Sequence, residues 1–277
     1  MSAAPVSRTG VRVLAKVTAL RTLSNPEYRE LEIEAPVITG ASQPGQFVHV
    51  KLAGDRGPLL RRPFSISGVD GATLTLLFKQ VGELTVELAG LKPGDSVDVL
   101  GPLGHGYDLS FAPVDRAFLV GGGYGVAPLL LLARTLHERG LARDIHLLIG
   151  ARSARHLLWE DRLAAESSWL QSGFSTDDGS AGRRGTVLDL LAERIREGTG
   201  VAHLFGCGPM PMLGAMAARW PDLPYQAAVE NQMGCGIGVC MGCVLPVTDG
   251  ATAYDRYARI CCEGPVFDAK RIDWKAL

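Results

Sequence analysis

The sequence predicts an all-β antiparallel barrel joined to an α/β domain built on a parallel sheet, with a cysteine-rich subdomain closing the chain. Three observations predict it. Short, mostly alternating apolar runs separated by turn residues fill positions 10–100, and strands alternate with helical stretches from about 115. Five of the six cysteines crowd between Cys235 and Cys262. A length of 277 residues suits two domains of about 120 residues each plus an appendage. The expected divisions are 1–112 for the barrel, 113–224 for the parallel-sheet domain and 225–277 for the cysteine-rich subdomain.

In the barrel half, Val11–Val17, Tyr28–Glu34, Gln46–Leu52 and Ala72–Lys79 read as strands. Asn25-Pro26, Gln43-Pro44-Gly45, Asp70-Gly71 and Lys92-Pro93-Gly94-Asp95 supply the turns between them. Many short strands at this spacing imply a small antiparallel barrel. The rhythm then changes. Ala117–Val120 is a short buried strand, followed by a glycine turn and a helix over Ala127–Arg139. Next come the strand Ile145–Ile149, helices around Leu157–Ser167 and Thr186–Arg196, the strand Val201–Phe205 and a helix after Pro209. Strands alternating with helices imply a parallel sheet covered on both faces. After Pro224 the alternation breaks.

Composition removes several function classes. With 28 basic and 29 acidic side chains the net charge is −1, which argues against a mainly electrostatic partner such as duplex nucleic acid. Apolar residues make up 47% of the chain, enough for real cores, so wholesale disorder is excluded. The longest apolar run, Val126–Ala133, is far short of the ~20 residues that span a bilayer. The start, MSAAPVSRTG, has no long apolar segment of a secretory signal. A soluble, cytoplasmic protein is expected. Glycine is abundant, 34 of 277 residues or 12%, against a usual ~7%. Without repeats, that excess points to tight turns and to backbone that approaches ligands closely.

The sharpest chemical signal is Cys235-x4-Cys240-x2-Cys243, with the Cys261-Cys262 pair further on. This is the plant-type [2Fe–2S] spacing: a glycine-rich loop wraps three thiolates and a fourth arrives from a distant hairpin. Zinc also accepts four thiolates, but its ribbons favour paired C-x2-C knuckles. Spacing leaves the choice between Cys261 and Cys262 open, and adjacent side chains diverge, so one of them is expected to bind. A second signal is Gly121-Gly122-Gly123-Tyr124-Gly125, set between a strand and a helix and echoed by Gly206-Cys207-Gly208-Pro209 after a later strand. Two glycine turns at strand ends of one sheet suit a nucleotide pyrophosphate. The third is Arg61-Arg62-Pro63-Phe64-Ser65 in the barrel, where arginine can clamp a phosphate and aromatic and hydroxyl groups can meet a ring.

Taken together, these motifs resemble the ferredoxin–NADP reductase superfamily, and within it the electron-transfer subunits of bacterial class 1B dihydroorotate dehydrogenases. The likeness spans nearly the whole chain and includes Leu60–Ile66, Asp98–Gly104, Thr176–Ser180, Met233–Gly238 and Cys261–Phe267. It implies that Cys235, Cys240, Cys243 and Cys261 hold the [2Fe–2S] cluster, leaving Cys207 and Cys262 as reduced thiols. It implies FAD on Arg62, Pro63, Phe64 and Ser65, with Arg62 on the pyrophosphate and Ser65 near the isoalloxazine. Phe64 stands where an aliphatic residue is common. Leu77, Phe78 and Lys79 resemble the strand lining the flavin. Leu84 and Thr85 stand where the family has Gly-Thr at the phosphates; Leu84 departs from that pattern, and Thr85 keeps a hydroxyl donor. Gly121, Gly122, Gly123, Gly125, Gly206, Cys207, Gly208 and Pro209 would frame NAD(H).

The resemblance further implies electron flow from NADH to FAD, to the cluster and to FMN on a separate dihydroorotate-oxidising subunit, or the reverse, in pyrimidine (UMP) biosynthesis. Two copies of each subunit are expected to form a heterotetramer. No side chain need act as acid or base, because the cofactors carry the chemistry. Asp177 and Asp178 would repel a 2′-phosphate and favour NADH, as the resemblance does, whereas Arg152 and Arg155 could pair with that phosphate. Two rivals remain: a flavin/iron–sulfur reductase serving a ferredoxin, an oxygenase or sulfur metabolism, and a zinc-stapled nucleotide-binding module without turnover.

Overall fold

Alternation in the first hundred residues builds a closed barrel. The computed structural model describes residues 10–54, 57–250, 252 and 255–277. In it β1 (Val11–Thr22), β2 (Tyr28–Glu34), β3 (Phe47–Leu52), β4 (Arg62–Asp70), β5 (Thr73–Lys79) and β6 (Ser96–Leu103) close in the order β1-β2-β5-β4-β3-β6. Each pairing among them is antiparallel. Closure leaves no free edge to aggregate. The short helices α1 (Pro36–Thr39) and α2 (Glu83–Leu88) add Ile38, Leu84 and Leu88 to the barrel core. Strands β4 and β6 escape the alternation test because Arg62-Pro63 opens one and Gly101-Pro102 interrupts the other, residues that read as turns.

A buried carboxylate pins the barrel. Asp98 on β6 accepts Arg12 at 2.9 Å and Arg61 at 2.8 Å, and Arg61 also donates to the Asp98 carbonyl at 2.9 Å. Burial pushes the Asp98 carboxyl up, but the Arg61 and Arg12 donors outweigh it and hold it below the usual aspartate range. A folded value below the unfolded one means that this stabilisation is present above about pH 4 and is lost as pH falls through the folded value. Asp98→Asn is expected to lower stability at neutral pH by about 1.5–3 kcal/mol. It should also flatten the acid limb below about pH 4. Denaturant unfolding across pH reads both effects.

The second half builds the parallel sheet from β7 (Val114–Gly122), β8 (Ala142–Ala151), β9 (Leu170–Thr176), β10 (Arg183–Arg184), β11 (Ala202–Cys207) and β12 (Tyr225–Ala228). Between them run α3 (Ala127–Glu138), α4 (Glu160–Ala165), α5 (Val187–Arg196) and α6 (Met210–Arg219). The tail adds the hairpin β13 (Val244–Pro246) and β14 (Tyr257–Arg259), the turn of helix α7 (Ile260–Glu263) and β15 (Val266–Asp268). Sheet order is β10-β9-β8-β7-β11-β12-β15, with β15 antiparallel to β12. The boundary expected after residue 224 therefore cuts through this sheet. Tyr225–Ala228 pairs with β11, and Val266–Asp268 returns to cover its edge. These strands are only four and three residues long, too short to show a period.

The expected helix over 157–167 is shorter for a physical reason. Leu157, Leu158 and Trp159 are buried, and Trp159 takes a left-handed φ of 66°. Its indole N–H donates to Glu30 of β2 at 2.9 Å, and Arg162 donates to the same carboxylate at 2.6 Å. A tie to the barrel thus takes the place of the helix's first turn. On the other side, Leu131 of α3 packs against the barrel core, so the helix after the glycine turn braces the barrel.

Candidate cofactor sites

Consecutive residues of the arginine segment face opposite ways. Arg61 turns inward to Asp98, whereas Arg62 is exposed and, among the described residues, donates only to the nearby Leu60 and Arg61 carbonyls, at 2.9 and 3.3 Å. Arg62 is thus the arginine available to an anion. Pro63 and Ser65 are half-buried beside it. Phe64 turns into the barrel core, edge-on to Phe78 at 5.9 Å. Leu77 packs into the α/β core with Tyr28 and Val126, and Lys79 pairs with Glu27 at 3.2 Å. Leu84 is buried in the barrel core. The Thr85 hydroxyl, expected to meet a phosphate, donates to the Gly82 carbonyl at 2.8 Å and accepts the Val81 and Gly82 N–H groups at 2.9 and 3.0 Å. It closes its own helix start. The structure therefore leaves Arg62, Pro63 and Ser65 open, and commits Phe64, Phe78 and Leu84 to packing.

The two glycine turns meet at the C-terminal ends of β7 and β11. Chain direction across the sheet reverses between these strands, which is where open α/β sheets leave a crevice for ligands. The turns are nearly in contact. A Cβ on Gly125 would lie 2.5 Å from the Cys207 carbonyl, one on Gly122 2.8 Å from Pro209, and one on Gly208 3.0 Å from the Gly122 nitrogen. Gly121 is tight against Val126, and Gly206 against Met216 and Tyr225. Most of these glycines therefore allow the turns to pack on each other. Gly123 differs: its φ is +56° and nothing lies within 4 Å of its missing side chain. Gly125→Ala is expected to wedge the turns apart, at about 1–3 kcal/mol in denaturant stability. NADH-dependent flavin reduction should fall while flavin content persists.

At this crevice Tyr124 of the glycine turn meets Glu230, which belongs to no glycine or cysteine signal and is missed by motif reasoning. The charge of Glu230, together with burial, pushes the Tyr124 hydroxyl up to about 12. Desolvation in turn raises the Glu230 carboxyl, although the residue is exposed along its flank and the Tyr124 hydroxyl opposes the shift. Cys207 is buried beside them, and burial pushes its thiol well up. Further along the edge, Ala151 and Thr176 are paired, so Arg152 and Asp177 leave the sheet at the same end. Asp178 is occupied by Ser180, whose hydroxyl donates at 2.6 Å.

The cysteine loop is held by backbone that only small residues adopt easily: φ is +72° at Gly236 and +81° at Gly238. The Cys235 sulfur accepts the Val239 and Cys240 N–H groups at 3.3 and 3.4 Å. Burial opposes its ionisation, but these donors, Ile237 N–H and the Cys240 thiol outweigh it and bring Cys235 down to about 6. The Cys261 N–H lies 3.4 Å from the Cys243 sulfur and donates to it. Burial, reinforced by Cys243 and Cys262, pushes the Cys261 thiol up. The Cys262 sulfur lies 3.5 Å from that of Cys261, and a Cβ on Gly238 would sit 2.2 Å from it.

Backbone N–H groups bonded to sulfur thus link the donors in two pairs, Cys235 with Cys240 and Cys243 with Cys261. A single tetrahedral zinc draws four thiolates to one point, whereas the two irons of a [2Fe–2S] group share four thiolates. The donor set fits the two-iron group. Cys243, Cys261 and Cys262 share an apolar core with Phe47 and Leu103 of the barrel. Beyond the last cysteines, the Gly264 carbonyl accepts the His105 N–H at 2.6 Å, fastening the cysteine lobe to the end of β6.

Known proteins match the chain over most of its length. A family model for the iron–sulfur cluster binding domain of dihydroorotate dehydrogenase B matches residues 230–273, and one for the oxidoreductase NAD-binding domain matches 119–218. The electron transfer subunit of dihydroorotate dehydrogenase B (NAD(+)) from Geobacillus kaustophilus is 41% identical over 92% of this chain and 96% of its own. That of Bacillus caldolyticus matches to the same extent. Among solved structures, an NADH-dependent reduced ferredoxin–NADP oxidoreductase superposes with a TM-score of 0.81 at 27% identity, over 96% of this chain and 91% of that one. A Neisseria gonorrhoeae ferredoxin NADP+ reductase, solved with FAD and NADP, shares the fold at 19% identity and a TM-score of 0.65, over 76% of this chain and 91% of its own. With a barrel, a crevice at the sheet's reversal and two pairs of thiols already in place, this chain belongs to the family of dihydroorotate dehydrogenase B electron transfer subunits.

Proposed function

We propose that this chain carries electrons between NAD(H) and the FMN-bearing catalytic subunit of a dihydroorotate dehydrogenase in pyrimidine biosynthesis, in either direction, and does not itself bind dihydroorotate. The observation that carries the proposal is the cysteine lobe packed directly on the outer face of the barrel through Phe47 and Leu103. It puts the thiol pairs beside the flavin segment. When bound, FAD takes or gives a hydride and the [2Fe–2S] cluster passes single electrons. The residues of the chain bind and orient. Arg62 supplies the exposed charge for the flavin pyrophosphate, with Pro63 and Ser65 toward the ring. Gly123 and the crevice between the turns receive the nicotinamide nucleotide, and Cys235, Cys240, Cys243 and Cys261 supply the thiolates. NADH is proposed over NADPH because relatives named for NAD(+) match at 41% identity and Asp177, leaving the sheet beside Arg152, would repel a 2′-phosphate.

Residues 1–112, 113–224 and 225–277 are proposed as functional divisions for flavin, nucleotide and cluster, even though β12 and β15 complete the nucleotide sheet. The partner is proposed to dock at the cluster loop. Ile237, Val239 and Met241 are exposed there at 54, 75 and 55%, around the exposed Cys240. Exposed apolar residues grouped in this way mark contact surfaces. A heterotetramer of two copies of each subunit and a cytoplasmic setting complete the proposal. No helix among the described residues is long and apolar enough to cross a membrane.

Val239→Asp is expected to weaken co-purification with the FMN-containing dihydroorotate-oxidising subunit at least tenfold while NADH still reduces the flavin. Burying one unpaired carboxylate costs more than the 1.4 kcal/mol, roughly, that a tenfold change represents. If no such subunit binds the unaltered chain, the partner assignment fails.

A further inference from the structure

His49 is a buried imidazole with no bonding partner. It is 0% exposed, and neither Nδ1 nor Nε2 makes a hydrogen bond. Leaving a buried polar group unsatisfied costs about 1–3 kcal/mol, so such a group calls for a specific explanation. The strand explains where the ring points. Val48 and Val50 of β3 fill the barrel, and period-two alternation turns Phe47 and His49 to the outer face.

Two neighbours define that position. Across the strand pair His49 stands opposite Pro63, inside the flavin segment. On its ring side it abuts the cysteine loop: a Cβ on Gly236 would lie 2.6, 2.7 and 2.8 Å from Cε1, Nε2 and Nδ1. Gly236 directly follows Cys235. Among the described residues no other buried imidazole lacks a partner at both ring nitrogens; His146 lacks one only at Nδ1.

We propose that His49 is a positioning residue of the electron path, which donates a ring N–H to a sulfur of the cluster site headed by Cys235 and so eases that site's reduction. The proposal rests on the iron–sulfur reading above. In either protonation state the ring carries at least one N–H. A donor aimed at sulfur stabilises the more negative, reduced state, and hydrogen bonds to the sulfurs are among the levers that set cluster potentials.

The test uses the holoprotein in an anaerobic redox titration followed by electron paramagnetic resonance. His49→Phe keeps an aromatic ring and removes the N–H; His49→Gln restores an amide donor. His49→Phe is expected to shift the cluster's one-electron equilibrium against reduction about tenfold, or about 59 mV, with flavin content unchanged. His49→Gln should recover part of the shift. Equal cluster potentials in the unaltered protein and in His49→Phe would overturn the proposal. Should His49→Phe lose its cluster, pulsed resonance on unaltered protein carrying 15N-histidine decides. A coupled imidazole nitrogen supports the proposal, and its absence sinks it. If the unaltered protein shows no cluster signal at all, the iron–sulfur reading itself fails, a result distinct from the others.

Discussion

Cys261→Ser is expected to lose most of the cluster iron, while Cys262→Ser keeps it. The two sulfurs are only 3.5 Å apart, so proximity alone does not choose between them. What separates them is the partner of each. The Cys261 N–H donates to the Cys243 sulfur, completing the second pair of donors, whereas the Cys262 sulfur presses against Gly238. Serine is nearly isosteric with cysteine but replaces a soft thiolate with a hydroxyl that ionises poorly, so the ligand is lost without a large packing change. Loss should also loosen the tail, because Cys243 and Cys261 sit within its apolar core. Iron per chain and the resonance of the reduced protein measure the outcome. Retained iron in Cys261→Ser with loss in Cys262→Ser would reassign the fourth ligand.

Arg62→Ala is expected to weaken FAD retention by roughly 10- to 150-fold, the equivalent of about 1.5–3 kcal/mol for a hydrogen bond to a charged group. Arg62 is exposed and holds only neighbouring carbonyls, so its removal should leave the barrel intact. Arg61→Ala is the contrast. Its guanidinium is bound to buried Asp98, and truncation leaves that carboxylate with Arg12 alone, so stability should fall more than flavin affinity. Flavin absorbance per chain after dialysis separates the two cases. Unchanged flavin in Arg62→Ala would refute the clamp.

Much of this is legible in the sequence where a periodic pattern or a spacing carries physical meaning. The barrel strands show alternation because one face of each fills the core, and Thr186 marks the start of α5 because its side chain accepts the Asp189 N–H. Cysteine spacing points to a two-iron site because loop geometry ties spacing to ligation. What stays hidden depends on contacts distant in sequence. The three-residue strand β15 exists because β12 offers it an edge, and residues 157–159 stay non-helical because Glu30 lies 129 positions from Trp159. Thr85 reads as a phosphate donor until the Gly82 carbonyl is seen to accept its hydrogen bond. Glycine abundance reads as room for ligands, yet Gly122, Gly125 and Gly208 mainly let two turns touch. His49 and Glu230 belong to no spacing that would single them out; only burial and neighbours do so.

The most direct test of the central claim is metal and flavin analysis of the purified chain, followed by anaerobic addition of NADH. The account predicts about two irons per chain together with FAD. NADH should then bleach the flavin absorbance and generate the paramagnetic signal of a reduced [2Fe–2S] cluster. About one zinc per chain, no flavin and no response to NADH would contradict it.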